Sequence, residues 1–280
     1  VTSGQLFRWV RGPVGVWLGV DGANWFRVTA AGPGACDVES NAASADFERL
    51  FRLEPEWDKV EDDLVVLGPE LRPLIEALPG LRLCRPSDPV ETLFSFLCSS
   101  NNHVPRIKTM VEHLTSFGPM LAEVDGRPLR RFPAPEALAD VSEEELRRRG
   151  FGYRGATIPR AARRIVDRGG AAYLRALAES PSELARAALL ELPGVGPKLA
   201  DCILLFALGR TETVPIDTHI WQALTRRYFP EWQGTTLTEL KYRAAASYMR
   251  ERFGPLAGWA QQYLFFDNML NWRTFRAEKD

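Results

Sequence analysis

Two hydrophobic rhythms divide the chain. Over the first forty residues apolar positions alternate. In GVWLGVDGANWFRV, Val16, Leu18 and Val20 fall on one face of a strand, Asp21-Gly22 marks a turn, and Trp25 to Val28 begins the return strand. From about Asp46 the period lengthens. ADFERLFRL repeats Phe47, Leu50 and Phe51 at helical spacing, and PELRPLIEAL keeps the same rule. Beyond Pro79-Gly80 nearly every segment predicts helix. Asp88 reads as the N-cap and Pro89 as a first-turn residue of PVETLFSFLCSS, and VPRIKTMVEHLTSFG stops at Gly118. Further helices are predicted near 135–149, 156–168, 171–191, 197–208, 217–228, 236–253 and 256–271. The fold class implied is α+β: an N-terminal antiparallel β-sheet domain with helices over 1–78, then a mostly α-helical body over 79–280.

Composition narrows the function classes. The chain has 280 residues, 45% of them hydrophobic, enough to bury a substantial core. Its four cysteines (Cys36, Cys84, Cys98, Cys202) show neither CxxC pairs nor zinc-ligand spacing, so reduced thiols inside a cell are expected. No stretch approaches the roughly 20 apolar residues of a membrane span. The N-terminal VTSGQLFRW does not read as a signal peptide. An intracellular location is expected, a bacterial cytoplasm or nucleoid on the alanine- and arginine-rich composition. The net charge of −1 argues against a generally basic nucleic-acid binder, but charge is unevenly placed. Asp58–Asp63 is acidic, and Arg147–Arg168 is rich in arginine.

The candidate chemistry begins at Leu192-Pro193-Gly194-Val195-Gly196, a turn between two helical patterns. Here the reading is a helix-hairpin-helix spanning about 188–209. Its glycines permit tight backbone geometry, and the amides opening the second helix offer an anion site that needs no basic side chain. The expected anion is a DNA phosphate, held at Gly194, Val195 and Gly196. From the turn alone, Lys198 reads as a phosphate contact or a solvated lysine rather than a nucleophile. Lys198 and Cys202 are four apart and share a helix face. A lysine beside apolar surface loses solvation, which exposes its lone pair. Asp217 follows Pro215 where a helix would start. It reads as a cap, and also as a carboxylate placed to face Lys198 across a cleft. An amine with a carboxylate suits attack at a sugar C1′.

LPGVGPKLADC followed by VPIDTHIW resembles the helix-hairpin-helix, Gly/Pro-rich loop and aspartate signature of DNA glycosylases. GQLFRW (4–9), LFSFLCSSNNHVPRI (93–107), GFGYR (150–154) and GPLAGWAQQYLF (254–265) resemble, in the same order, segments of the eukaryotic-type 8-oxoguanine DNA glycosylase family. The resemblance spans nearly the whole chain. It implies a bifunctional DNA glycosylase and AP lyase of base excision repair, excising 8-oxoguanine opposite cytosine. Lys198 would be the Schiff-base nucleophile, Asp217 the catalytic carboxylate and His219 a phosphate contact. A base attacked in this way must first leave the stack. Phe265 and Cys202 would then face its ring, Gln261 its Watson–Crick edge, and the Gly4 carbonyl its N7 proton. Gln261 and Phe265, four apart, share one helix face. Asn101, Arg106 and Arg154 would read the opposite cytosine, and Tyr153 would wedge into the gap. Two positions depart from the family pattern: His103 stands where asparagine is common, and Asn268 where aspartate is common. Double-stranded DNA is the expected partner, with a monomeric chain and no cofactor.

Four rivals set the comparison. An endonuclease III-like enzyme would carry cysteines for a cluster near the C-terminus, and none follows Cys202. An alkyladenine-type glycosylase of the same superfamily would keep the aspartate but generally lack the lysine, and a glycosylase with another oxidised-base preference is the nearer alternative. A non-catalytic helix-hairpin-helix module needs neither Asp217 nor the pair Gln261 and Phe265.

Overall fold

The computed structural model describes residues 4–12, 15–32, 34–53 and 57–277, with side chains of 57–58 and 269–277 outside the description. It divides into two compact units: Val1–Phe51 with Cys84–Leu208, and Arg52–Leu83 with Gly209–Asp280. These units do not follow the expected boundary between 78 and 79. The chain leaves the first unit after the helix Ser44–Phe51, contributes two helical segments to the second, and returns at Cys84.

The first unit opens with a four-stranded antiparallel sheet in sequential order: β1 (Val10–Arg11), β2 (Trp17–Asp21), β3 (Asn24–Gly32) and β4 (Ala35–Ser40). The alternation does what its period requires. Leu18 and Val20 are buried, and Trp17 pairs with Val28 and Asp21 with Asn24 around a two-residue turn. Beneath this sheet Leu6, Trp9, Phe26, Leu50 and Cys84 form a closed cluster. Trp9 stacks on Phe26 with centroids 6.0 Å apart, and Phe51 meets Trp9 edge-on.

The rest of this unit is helical with one exception. The Pro89–Ser99 helix starts as expected, with Asp88 accepting from the amides of Val90 and Glu91. Its Val90, Leu93, Phe94, Phe96 and Leu97 are buried. The next helix, Val104–Thr115, stops short of Gly118; that glycine lies where an added Cβ would meet the Arg131 carbonyl at 2.0 Å. A hairpin then breaks the helical run: β5 (Met120–Val124) pairs with β6 (Arg127–Arg130). Its turn is Asp125-Gly126, both at positive φ, the dipeptide that tight hairpins favour. Helix 135–149 resolves into Pro135–Ala139 and Glu143–Arg148, the second capped by Ser142. Helix 171–191 is likewise divided at Ser180-Pro181 into Ala171–Glu179 and Ser182–Leu190.

In the second unit the short segment Arg52–Leu83 is tied to the C-terminal helices by polar bonds. Glu70 accepts from Tyr228 at 2.6 Å and from Arg252 at 3.0 Å, and Glu61 accepts from Tyr263 at 3.0 Å. Burial and the facing carboxylate push the Tyr228 hydroxyl well above its usual range. The helices Thr218–Arg227, Glu239–Phe253 and Ala257–Ala277 complete this unit. No helix among the described residues is long and apolar enough to cross a membrane.

Candidate functional site

The hairpin turn runs from Ser182–Leu190 to Pro197–Cys202. The Val195 amide donates back to the Leu192 carbonyl at 3.1 Å and closes the turn. Gly194 sits at φ 82°, and a Cβ there would lie 2.3 Å from the Thr157 methyl, so both conformation and space demand glycine. Gly196 differs from the expectation. At φ −96° and ψ −179° it is extended, with nothing near its missing Cβ. Its use is therefore local: no side chain caps the helix it opens, and Pro197 supplies no N–H. The Val195 amide, by contrast, is spent inside the turn. The two helices of the hairpin are locked by Arg186, whose Nε lies 2.7 Å from Oδ1 of the buried Asp201. No sequence pattern announced this pair, because its members are fifteen residues apart on different helices.

Lys198 stands half-buried on the first turn of Pro197–Cys202, with Nζ 5.8 Å from the centroid of the Phe96 ring. Phe96 stacks on Phe206 at 5.3 Å and meets Phe7 edge-on at 5.8 Å. The amine thus rests on an apolar platform built from three separate segments. Cys202, four residues on, is buried at 3% exposure. The expected helix 197–208 does not continue unchanged. Ile203–Ala207 is a single π turn, the widening that places Phe206 against Phe96.

Gly4, at φ 75°, begins a segment with three anchors. The Gln5 side-chain oxygen accepts from the Cys84 amide at 2.8 Å. Arg8 pairs with Glu91 at 3.0 Å and also donates to the Arg130 carbonyl. Lys108 donates to the Trp9 carbonyl at 2.8 Å. Burial pushes the Glu91 carboxyl up to about 7, against the pull of Arg8 in the other direction.

Asn101, Arg106, Tyr153 and Arg154 come together at the two loops 100–103 and 150–153. Asn101 holds φ 47° after the Pro89–Ser99 helix. Tyr153 donates to the Ser100 carbonyl at 3.3 Å, and Arg154 donates to the same oxygen. The Arg154 guanidinium lies 4.5 Å from the Tyr153 ring centroid. Arg106 reaches the Gly150 carbonyl at 2.9 Å. Tyr153 is 55% exposed while Arg154 is 4% exposed, so the tyrosine is displayed and the arginine is sequestered. His103 accepts from the Arg106 amide at 3.4 Å and caps Val104–Thr115. The departure at His103 therefore supplies the helix start that presents Arg106.

The second unit holds the other expected residues. Asp217 is the N-cap of Thr218–Arg227, with Oδ1 accepting from the Ile220 amide at 2.9 Å. The strand-like entry to it is held on both sides. The Pro215 carbonyl accepts from Gln261 at 3.3 Å, and the Ile216 amide donates to the Tyr242 hydroxyl at 3.3 Å. Gln261 is buried at 4% exposure, and its oxygen accepts from Gln262 at 2.6 Å. Phe265, one turn along the same helix, meets the His219 ring edge-on at 5.7 Å. Lys198 and Asp217 belong to different compact units, and their expected pairing remains a proposal. Among the described residues no group of three or more His, Cys, Asp or Glu side chains is arranged to hold a metal.

Comparison with known proteins adds to this geometry. The chain is 36% identical over 282 residues to the N-glycosylase/DNA lyase OGG1 of Arabidopsis thaliana, covering 97% of this chain and 77% of that protein. The fold resembles that of MBOgg1 with a low-affinity DNA ligand at a TM-score of 0.84 and 31% identity, covering 96% of this chain and 90% of that one. It also resembles the 8-oxoguanine glycosylase/lyase of Clostridium acetobutylicum, solved with duplex DNA containing cytosine opposite 8-oxoguanine. There the TM-score is 0.84, the identity 27%, and the coverage 96% and 90%. The profile of the HhH-GPD superfamily base excision DNA repair proteins matches residues 94–246. With the hairpin, the seated lysine and the capping aspartate all inside or beside that span, this chain belongs to the HhH-GPD superfamily of base excision DNA repair proteins.

Proposed function

We propose that the chain is a bifunctional DNA glycosylase and AP lyase that removes 8-oxoguanine opposite cytosine from double-stranded DNA. The observation that carries the reading is the seat of Lys198: an amine half-buried over Phe96, at the head of the hairpin's second helix. A lysine that only pairs with phosphate works fully solvated, whereas a nucleophile gains from the lost hydration that a half-buried seat imposes. Relatives named as N-glycosylase/DNA lyase and as 8-oxoguanine glycosylase/lyase support the same activity.

In this mechanism the neutral Lys198 amine attacks C1′ of the damaged nucleotide. The C1′–N9 bond breaks and its electron pair leaves with the base, which takes up a proton. Asp217 stabilises the positive charge that develops on the sugar. The Lys198 nitrogen loses a proton, its lone pair opens the C1′–O4′ bond, O4′ takes up a proton, and the resulting iminium acidifies the C2′ proton, which passes to solvent. Its removal expels the 3′ phosphate with the C3′–O bond pair, and the strand is cut. Gly4 offers its carbonyl to the N7 proton that guanine lacks, a difference of about 1–3 kcal/mol. Gln261 meets the Watson–Crick edge, Cys202 and Phe265 face the ring, and His219 with the Gly194 and Gly196 amides contacts phosphates, the Val195 amide being taken by the Leu192 carbonyl. Asn101, Arg106 and Arg154 read the cytosine, and Tyr153 fills the vacated stack. The bond to the Ser100 carbonyl uses one Nη2 donor of Arg154 and leaves the other donors of its guanidinium for the base.

Borohydride trapping on a duplex with 8-oxoguanine opposite cytosine tests the reading. Wild type should form a covalent adduct and Lys198→Gln none. Tight binding of that duplex by wild type, with no adduct and no free base, would instead leave a binding module.

A further inference from the structure

Asn268 lies on the Ala257–Ala277 helix, 3% exposed, opposite a face of the Thr218–Arg227 helix that carries His219, Gln222 and Arg226. Those three positions are spaced three and four apart and so line up on one face. We propose that Asn268 is a positioning residue that fixes the tautomer of His219, holding Nδ1 as an acceptor and placing the ring proton on Nε2.

Arg226 sets the orientation of the Asn268 amide. Its Nη2 lies 3.0 Å from Oδ1 of Asn268. A guanidinium has only donors, so the amide atom it meets must be the oxygen. That settles which way the amide points, a question hydrogen-bond partners alone decide. The amide nitrogen then faces the other way. It lies 3.2 Å from the Gln222 side-chain oxygen and 3.3 Å from His219 Nδ1. Its two hydrogens match these two acceptors. An amide nitrogen offers no lone pair, so Nδ1 has to supply one. The other tautomer, or the doubly protonated ring, would set N–H against the N–H of a buried amide. The ring plane is fixed as well, by its edge-on contact with Phe265 at 82°. The consequence for binding rests on the reading of His219 as a phosphate contact: a phosphate oxygen needs a donor, and this network makes Nε2 the donor.

The test is a long-range proton–nitrogen correlation spectrum of the 15N-labelled full chain. It has only three histidines, His103, His113 and His219, and His219→Asn assigns the third. Wild type should show His219 with an unprotonated Nδ1 and a protonated Nε2 at neutral pH. A protonated Nδ1 would overturn the proposal. Asn268→Asp keeps the shape but presents only acceptors, so Nδ1 should shift to the protonated position. An unchanged Nδ1 signal in that variant would also overturn it. Packing alone would not move this readout. In parallel, His219→Asn should weaken binding of a duplex with an abasic-site analogue about tenfold. Unchanged affinity together with the expected tautomer would uphold the role of Asn268 and remove His219 from the phosphate contacts.

Discussion

At the scale of single residues, two glycines and one aspartate separate conformation from chemistry. Gly194 and Gly196 look equivalent in PGVG, yet only Gly194 has a positive φ and a neighbour pressed against its Cα. Gly194→Ala should therefore cost about 1–3 kcal/mol from backbone strain alone, with the Thr157 clash in addition. Gly196→Ala should unfold within a few tenths of a kcal/mol of wild type, since its conformation and surroundings accept a methyl group. Paired urea titrations check both. Asp217 has two roles that the same variants can split. Asn caps as well as Asp, so Asp217→Asn should keep its stability while losing base release in a single-turnover assay. Asp217→Ala should lose activity and also about 1 kcal/mol of stability. Equal activity of Asp217→Asn and wild type would leave the aspartate as a cap alone.

At the scale of elements, the notable feature is how an irregular segment is made firm. Residues 4–9 belong to no helix or strand, yet Gln5 finds a partner at Cys84, Arg8 one on the Pro89–Ser99 helix and the Trp9 carbonyl one on the Val104–Thr115 helix. The pair of Arg8 with Glu91 ties the segment to the Pro89–Ser99 helix. Because burial raises the Glu91 carboxyl from 4.5 to about 7, the folded chain binds a proton more readily there than the unfolded chain does. The stability this contributes is present below about pH 4.5 and is lost as pH rises through 7. Glu91→Gln should flatten that part of the stability profile, measured by denaturant midpoints at a series of pH values. A slope between those limits identical to wild type would show that another group titrates there. The π turn Ile203–Ala207 makes the complementary point. It converts a helix that would simply continue into one that turns Phe206 toward Phe96, under the amine of Lys198.

At the scale of the whole molecule, charge sets the expectation. A chain with net charge −1 has no net positive charge with which to draw DNA, whatever its local arginine clusters contribute. Amide dipoles at a helix start neutralise no phosphate charge and release few counterions. Duplex affinity should then fall only about tenfold between roughly 50 and 200 mM salt, corresponding to about two cation–phosphate contacts. A loss of about a thousandfold or more over that range would point to six or more such contacts and to a basic surface that composition conceals. Fluorescence anisotropy with an abasic-analogue duplex measures the slope.

How much of this was legible in the sequence depends on the range of the cause. Local causes were readable. Strand alternation set Leu18 and Val20 inward, Asp88 and Asp217 announced helix starts, and PGVG announced the hairpin, because each depends on neighbours within a few residues. The Asp125-Gly126 hairpin was equally local; its dipeptide signal was present, and the helical rhythm around it masked it. Beyond the Gly194–Gly196 turn, Lys198 and Asp217, the expected site residues came from family resemblance, since nothing in a buried glutamine or an arginine marks its use. What tertiary structure alone decided is which distant groups meet: Phe96 and Phe206 beneath Lys198, Arg186 against Asp201, Arg154 folded onto Ser100, and Asn268 between Arg226 and His219. It also decided that residues 52–83 belong with the C-terminal helices, through carboxylates at Glu61 and Glu70 that accept hydrogen bonds from partners more than 150 positions away. Periodicity reports which face of an element is buried. It carries no information about what is buried against that face, because that follows from packing between elements the chain brings together only when it folds.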